Sequence, residues 1–462
     1  MNRQQRRAVE KQSRNGKGML LQDVLAKAIK AHQEGDLATA EKNYRSIIVA
    51  LPNHPDACHF LGVLLHQRGR SAEAVGFIKR AVTANPHYSD AFNNLGNVHK
   101  ECGELEEAKE CYRKVIELSP KHPAALNNLG IVLKDLGDFA EAVQVISTAI
   151  ELEPKRADFY HNLGNAYRKQ GDLKKSAEAC RQSIALQPYQ ADAYKSLWRA
   201  LYLGRDFEEA AKVLRQWLEN EPENAIAKHT YAAQMGGEWV PERASDDYVQ
   251  QMFDNFAGSF DQVLERLDYR APSLVASAVG DIHSNPAGDL LVLDAGCGTG
   301  LCGPLLTPYA IKLIGIDLSP KMLVKAEGRA AYDELLVAEL VGYLEKNPTT
   351  FDLIVSADTL VYFGALELFA QAAKTALKPG GHLIFTLEKG TIEQDFKLNI
   401  HGRYSHSQAY VERLFALSGW DKCSIIDEVL RKEAGEPVLG MLITASVIKL
   451  PFVVPPLGGR QP

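Results

Sequence analysis

Residues 289–306 read DLLVLDAGCGTGLCGPLL. Leu290 to Leu293 are a short apolar run, the pattern of a strand covered on both faces in a parallel sheet, and Asp294 stands at its tip. Gly296, Gly298 and Gly300 follow and lead into a helix. Glycines so spaced permit a tight turn and leave backbone amides bare to a ligand. Strand, glycine loop and helix together predict an α/β, Rossmann-like domain. Dinucleotide-binding folds share such a loop, but their G-x-G-x-x-G fingerprint needs glycine at 301, where this chain has Leu301. An acid at the strand tip would also repel a pyrophosphate, whereas it suits a ligand that carries positive charge.

Reading on from this loop, KLIGIDLS (312–319) is a second strand ending in Asp317, 23 residues after Asp294. That is close to the spacing at which Rossmann-like folds place an acid on ribose hydroxyls. LLVAEL (335–340) reads as a third strand carrying Glu339, and FDLIVSADTLVYFG (351–364) as a fourth with Asp358 at its carboxyl end. ALKPGGHLIFTLE (376–388) supplies the end of a helix, a Pro-Gly-Gly turn and a fifth strand. The segment from Trp420 to Lys449 reads as a long hairpin that completes a seven-stranded, mostly parallel sheet.

In this order the five motifs resemble class I S-adenosylmethionine-dependent methyltransferases, over roughly residues 250–449. The resemblance implies S-adenosyl-L-methionine as cofactor, whose ammonium and sulfonium fit an acid-rich site. It places Asp294, Gly296, Cys297, Gly298 and Gly300 on the loop around that cofactor, Asp317, Leu318 and Met322 after the second strand, Glu339 and Leu340 near the adenine, and Asp358 beside the transferable methyl.

The first half of the chain follows a different rule. Proline recurs at 52, 86, 120, 154, 188 and 222, a constant step of 34 residues. In the same register glycine stands at 62, 96, 130 and 164, a second glycine at 35, 69, 103, 137 and 171, and alanine at 40, 74, 108, 142 and 210. Small residues let two helices approach closely, the second glycine frees the turn between them, and proline stops the second helix. SDAFNNLGNVHKECGELEEAKECYRKVIELSPKH (89–122) and ADFYHNLGNAYRKQGDLKKSAEACRQSIALQPYQ (157–190) resemble tetratricopeptide repeats, whose period and landmark residues they match. Six such units are expected, starting at 21 and ending at 224, as an all-α solenoid. Asn94, Asn128 and Asn162 share one repeat position on the first helix. In related arrays such asparagines hold an extended peptide, because an amide offers both a donor and an acceptor to a backbone. A protein or peptide partner is therefore expected on the concave face.

The expected organisation is a basic disordered tail (1–20), the repeats (21–224), a capping helix and linker (225–247), the methyltransferase domain (248–449) and a disordered proline-rich tail (450–462). Ser245 is expected to cap a helix on which Phe253, Phe256 and Phe260 share a face, either as core or as a lid over the cofactor. After the fifth strand HGRYSHSQAYVERLF (401–415) gathers His401, Arg403, Tyr404 and His406 where loops form a substrate crevice. His406 and Tyr404 are the candidate catalytic residues, as base or acceptor contact. A base is needed only for an acceptor that must lose a proton.

Absences narrow the acceptor. SADTLVY lacks the Asn/Asp-Pro-Pro-aromatic signature of amide and nucleobase-amine methyltransferases. A net charge of −6 and the lack of a basic, aromatic-interleaved stretch argue against nucleic acid. A small-molecule acceptor is favoured over a protein one. The seven cysteines are odd in number and scattered, with no CxxC or other metal-ligand spacing, so reduced thiols and no metal are expected. No apolar run resembles a membrane span or signal peptide, which gives a cytoplasmic expectation. The alternative to an active enzyme is a repeat adaptor whose second domain only binds ligand. Intact Asp294, Asp317 and glycines argue against decay.

Overall fold

The computed structural model describes residues 21–448 except 392 and 434. The two terminal tails expected at 1–20 and 450–462 lie outside the described residues, as does 449. Two compact units meet in sequence between Asn220 and Glu221.

The first unit is six helix pairs: α1 (21–33) with α2 (Leu37–Ala50), α3 (Pro55–Gln67) with α4 (Ser71–Ala84), α5 (Ser89–Glu101) with α6 (Leu105–Leu118), α7 (Pro123–Leu136) with α8 (Phe139–Leu152), α9 (Ala157–Gln170) with α10 (Leu173–Leu186), and α11 (Ala191–Leu203) with α12 (Phe207–Asn220). The 34-residue ruler thus becomes one pair per repeat. Gly103 turns the chain between α5 and α6 with φ +80°, a backbone that a side chain would strain. Gly96 does the other job. A Cβ there would lie 2.8 Å from Cε1 of Tyr112, so glycine lets α5 meet α6.

The second unit is helices around one sheet. Its strands are β1 (Leu290–Ala295), β2 (Ala310–Asp317), β3 (Glu334–Val337), β4 (Phe351–Ser356), β5 (Leu377–Lys389), β6 (Phe396–Leu398), β7 (Tyr404–His406), β8 (Lys422–Glu433) and β9 (Glu436–Ser446). β3-β2-β1-β4-β5 run parallel, β9 joins β5 antiparallel, and β8 pairs with β9. These are the seven strands expected, including the hairpin. Two short strands are added: β7 pairs with Glu388 and Lys389 at the end of β5, and β6 pairs with β7. Apolar faces of β1, β4 and β5 are buried on both sides, with Leu293, Ile354 and Phe385 in one core cluster and Val292, Val355 and Ile384 in the other. This is why those strands read as unbroken apolar runs.

The helices of this unit are α13 (Ala225–Met235), α14 (Asp246–Phe256), α15 (Phe260–Arg266), α16 (Ala271–Ile282), α17 (Gly303–Leu306), α18 (Pro320–Glu327), α19 (Leu340–Glu345), α20 (Glu367–Ala376) and α21 (Gln408–Leu417). Two segments before the sheet group with this unit. Helix α13, read as a cap for the solenoid, clusters with the second unit, where His229 stacks on Tyr248 and donates to the carbonyl of Gly402 at 2.8 Å. Residues 236–247, read as a linker, dock on the sheet unit: the amide of Ala244 donates to Tyr362, and Glu242 accepts from Gly364 and Ala365.

Candidate functional site

A cavity of about 340 Å³ opens at the carboxyl ends of β1, β2 and β4, within the ~300–1,000 Å³ of small-molecule sites. Its floor is Gly296 and Gly298, with Asp317, Leu318, Glu339, Leu340 and Asp358 around it. At Gly298, φ is +55° and an added Cβ would meet nothing within 4 Å, so the loop presents bare backbone to the cavity.

Asp317 is fixed by its own neighbours. Its carboxylate accepts from the amides of Ser319 (2.8 Å) and Gly298 (3.0 Å), one on each oxygen. Burial pushes its carboxyl up, and those amide bonds pull the other way. Each oxygen keeps a further lone pair for hydroxyl donors in the cavity.

Other expected cofactor residues stand behind the wall. Asp294 is buried and accepts from the Tyr332 hydroxyl at 2.6 Å, while its Oδ1 has no partner. Burial raises its carboxyl to about 7, the Tyr332 bond opposing and the Asp317 charge adding to it. Cys297 and Met322 are buried side chains, and Gly300 packs on Tyr332 and Ala326. These four support the loop and do not line the cavity. Glu339 departs from its expected place on a strand. β3 ends at Val337, and Glu339 caps α19, accepting from the amides of Val341 (3.0 Å) and Gly342 (2.7 Å) and pairing with Arg243 at 2.9 Å.

The roof is the aromatic segment. It is two helices and not one: the chain breaks at Ala257–Ser259, so Phe253 and Phe256 lie on α14 and Phe260 on α15. The break lets the three rings still converge, with Phe260 edge-on to Phe253 (6.0 Å) and Phe256 (5.3 Å), and Phe253 edge-on to Tyr362 (5.5 Å). All three phenylalanines line the cavity. The segment is tied to the floor by polar bonds. The Thr299 hydroxyl donates to Asp261 at 2.5 Å, Arg329 pairs with Asp261 at 2.7 Å, and the Ser319 hydroxyl donates to Asp254 at 2.6 Å.

The candidate catalytic pair lies away from the cavity. Residues 404–406 form strand β7 and not an open loop, so Tyr404 and His406, two apart, point to one face and both are fully buried. The Tyr404 hydroxyl donates to the carbonyl of Pro241 at 2.8 Å, and His406 Nε2 donates to that of Gly364 at 2.9 Å. Burial pushes the His406 imidazole down to about 4. Neither lines the cavity.

In their place the wall holds an ion network. Arg431, 2% exposed, donates from Nη1 to Asp358 (2.7 Å), from Nε to Glu433 (2.8 Å) and from Nη2 to Glu388. Arg403 pairs with Glu388 at 2.6 Å and with Glu433. Asp358 has a φ of +57°, its amide donates to Thr386 Oγ1 at 2.8 Å, and its Oδ1 is buried without a partner. Arg431 was not legible in sequence, since it sits in the charged run DEVLRKE. A register irregularity between Val429 and Arg431 turns it inward beside Leu430.

In the repeats, the three expected asparagines are engaged along the array. Asn94 Nδ2 bonds His59 (2.8 Å), Asn128 Nδ2 donates to Asn97 (3.2 Å), and Asn162 Nδ2 donates to Asn127 (3.0 Å). Each amide nitrogen is turned toward the preceding repeat or its neighbour on the same face.

Residues 293–385 match a family model described as a methyltransferase domain. Tetratricopeptide-repeat models match residues 25–89, 96–137, 132–171 and 157–190. The chain is 31% identical over 155 residues to methyltransferase-like protein 27 of Homo sapiens, covering 33% of this chain and 63% of that protein. It is 28% identical over 140 residues to the mitochondrial ubiquinone biosynthesis O-methyltransferase of Rattus norvegicus, covering 28% and 41%. Over 165 residues it is 27% identical to a malonyl-acyl-carrier-protein O-methyltransferase of Priestia megaterium, covering 35% and 57%. The chain thus spans less than two thirds of the length of each of these relatives. The solved structure of MamA protein aligns with a TM-score of 0.35 and 21% identity, over 38% of this chain and 95% of that one.

Proposed function

We propose that this chain, a class I methyltransferase domain preceded by tetratricopeptide repeats, transfers a methyl group from S-adenosyl-L-methionine to a small-molecule acceptor, while the repeats hold a protein or peptide partner. The observation that carries the reading is the cavity itself, where bare glycine backbone and the Asp317 carboxylate face a roof of three phenylalanines. Those residues fit the cofactor. Asp317 would take its ribose hydroxyls, Gly296 and Gly298 its amino-acid part, and Leu318 and Leu340 its adenine. The aromatic faces suit a sulfonium, since a cation is attracted to a ring face.

Bound there, the cofactor supplies a methyl carbon already activated by its sulfonium. What the chain contributes is alignment and exclusion of water. The lid of α14 and α15, latched by Asp261 and Asp254, covers the cavity. Asp358, which lines the cavity with one oxygen held by Arg431 and the other buried without a hydrogen-bond partner, would orient a hydroxyl or amine on the acceptor.

Incubation with methyl-labelled cofactor and a fractionated cell extract tests the acceptor class. Label in the low-molecular-weight fraction is expected. Label confined to protein would overturn the small-molecule assignment and direct attention to the partner held by the repeats.

A further inference from the structure

Several arginines and lysines on the second helices are paired: Arg45 bonds Glu41 at 2.7 Å, Lys175 bonds Asp172 at 3.0 Å, and Lys212 bonds Glu209 at 2.8 Å. Three cations on α9 and α11 are not. Among the described residues, Arg168, Lys195 and Arg199 form no ion pair, and Arg168 Nε is buried without a hydrogen-bond partner.

Side-chain bonds set these cations on one surface. Asn162 of α9 donates to Asn127 of α7 (3.0 Å), His161 of α9 bonds Ser196 of α11 (3.0 Å), and the Ser196 hydroxyl donates to Asn165 (3.3 Å). The facing sides of α7, α9 and α11 therefore carry residues 127, 161–165 and 196. Steps of four and three on α9 bring Arg168 onto that face with His161 and Asn165. On α11, Lys195 adjoins Ser196, and Arg199 follows it by four. Lys134 holds the same repeat position as Arg168 one unit earlier, though it is paired with Asp135 at 2.9 Å. The crowding is felt: burial and then Arg199 hold the Arg168 guanidinium below its ordinary value. Asp192 is the acid that opposes this, acting on Lys195 and His161. Three unpaired cations facing one acid is an arrangement that an anionic ligand would complete.

We propose that this face of the last three repeats binds an acidic peptide segment, with Arg168 and Arg199 as the carboxylate partners. The inference rests on the reading of the solenoid as a peptide-binding surface and names the chemistry of what it binds. The guanidinium fork matches carboxylate geometry, and Arg168, partly buried with its Nε unpartnered, gains most from such a partner. Asn162 spends its amide nitrogen on Asn127, which leaves its carbonyl oxygen for a peptide N–H. A polyphosphate backbone is disfavoured by the net charge of −6 on the whole chain.

The test is fluorescence anisotropy on the full chain with labelled hexaglutamate, hexaglutamine and an oligouridylate. The proteins compared are wild type, the single variants Arg168→Gln and Arg199→Gln, their double variant, and Arg181→Gln on the exposed side of α10. Hexaglutamate is expected to bind at low ionic strength and to weaken about tenfold or more in the double variant, as loss of charge-assisted bonds requires. Arg181→Gln is expected to leave it unchanged. No binding of hexaglutamate, or the same affinity in the folded double variant, would overturn the proposal. So would tighter binding of the oligouridylate with the same dependence on Arg168 and Arg199. Equal binding of hexaglutamine would overturn the charge assignment while leaving peptide binding intact.

Discussion

Arg431, on the penultimate strand of the sheet, donates from Nη1 to Oδ2 of Asp358 at the end of β4, 2.7 Å away and 73 residues earlier in sequence. The bond crosses from the hairpin to the cavity wall and fixes an acid whose backbone sits at φ +57°. Burial opposes the charge on Arg431, and Asp358 and Glu388 more than offset it, holding the guanidinium above its ordinary value. A non-glycine residue in this backbone region costs about 1–3 kcal/mol and persists only where its surroundings hold it, as the Arg431 and Thr386 bonds do here.

Replacing Arg431 with methionine leaves Asp358 and Glu388 as buried charges without their shared partner. Breaking a buried pair from one side costs about 3–5 kcal/mol. Urea unfolding of the second unit should show that loss for Arg431→Met. Adding Asp358→Asn to it should recover part of the loss by removing one stranded charge. A loss below about 1 kcal/mol in the single variant would mean that the network is not formed in solution.

Stability should depend on pH through Asp294. Its carboxyl titrates at about 7 in the fold, against an ordinary value of 3.8. Between those values the folded state holds a proton that the unfolded chain has released. The stability contributed is therefore full below about 4 and lost as pH rises toward 7. Asp294→Asn cannot titrate, so the difference in unfolding free energy between variant and wild type should widen in favour of the variant over that window. A pH-independent difference would contradict the burial of Asp294 as an acid.

Gly96→Ala tests the helix packing inside a repeat. Its Cβ would meet the Tyr112 ring at 2.8 Å, and overpacking of this kind costs about 1–3 kcal/mol. Thermal unfolding of the variant should fall accordingly, while a substitution at Gly76, where an added Cβ meets nothing within 4 Å, should change it little.

The repeats were legible because proline recurs six times and the glycine and alanine landmarks four or five times in one register, each with one geometric job. The parallel strands were legible because β1, β4 and β5 are covered on both faces and so lack alternation. What stayed hidden depends on pairing between distant segments. Tyr404 and His406 look like loop residues until β7 adds to the far end of β5 and buries them. Phe260 looks continuous with Phe253 and Phe256 until Ala257–Ser259 break the helix. Arg431 looks like one charge in a solvated strand until the bulge after Val429 turns it to the cavity. Asp317, Gly298 and Leu318 line the cavity, whereas Asp294, Cys297, Gly300 and Met322 brace it from behind.

The latch between lid and floor gives a kinetic prediction. Asp261 accepts from Thr299 and pairs with Arg329, and it is about half exposed, so its removal should cost under about 1 kcal/mol of stability. Stopped-flow measurement of cofactor release from Asp261→Ala should nonetheless run several-fold faster than wild type, since the lid loses its hold on the glycine loop. An unchanged release rate would argue that α14 and α15 are fixed core and not a lid.

The cavity beside Asp317 is proposed to hold S-adenosyl-L-methionine. Isothermal titration of the purified chain with that cofactor and with S-adenosylhomocysteine, beside an Asp317→Ala variant, tests it most directly. Both ligands are expected to bind the wild type, with a loss of about tenfold or more in the variant, because the carboxylate makes charge-assisted bonds worth roughly 1.5–3 kcal/mol each. No binding of either ligand to the folded protein, or undiminished affinity in Asp317→Ala, would contradict it.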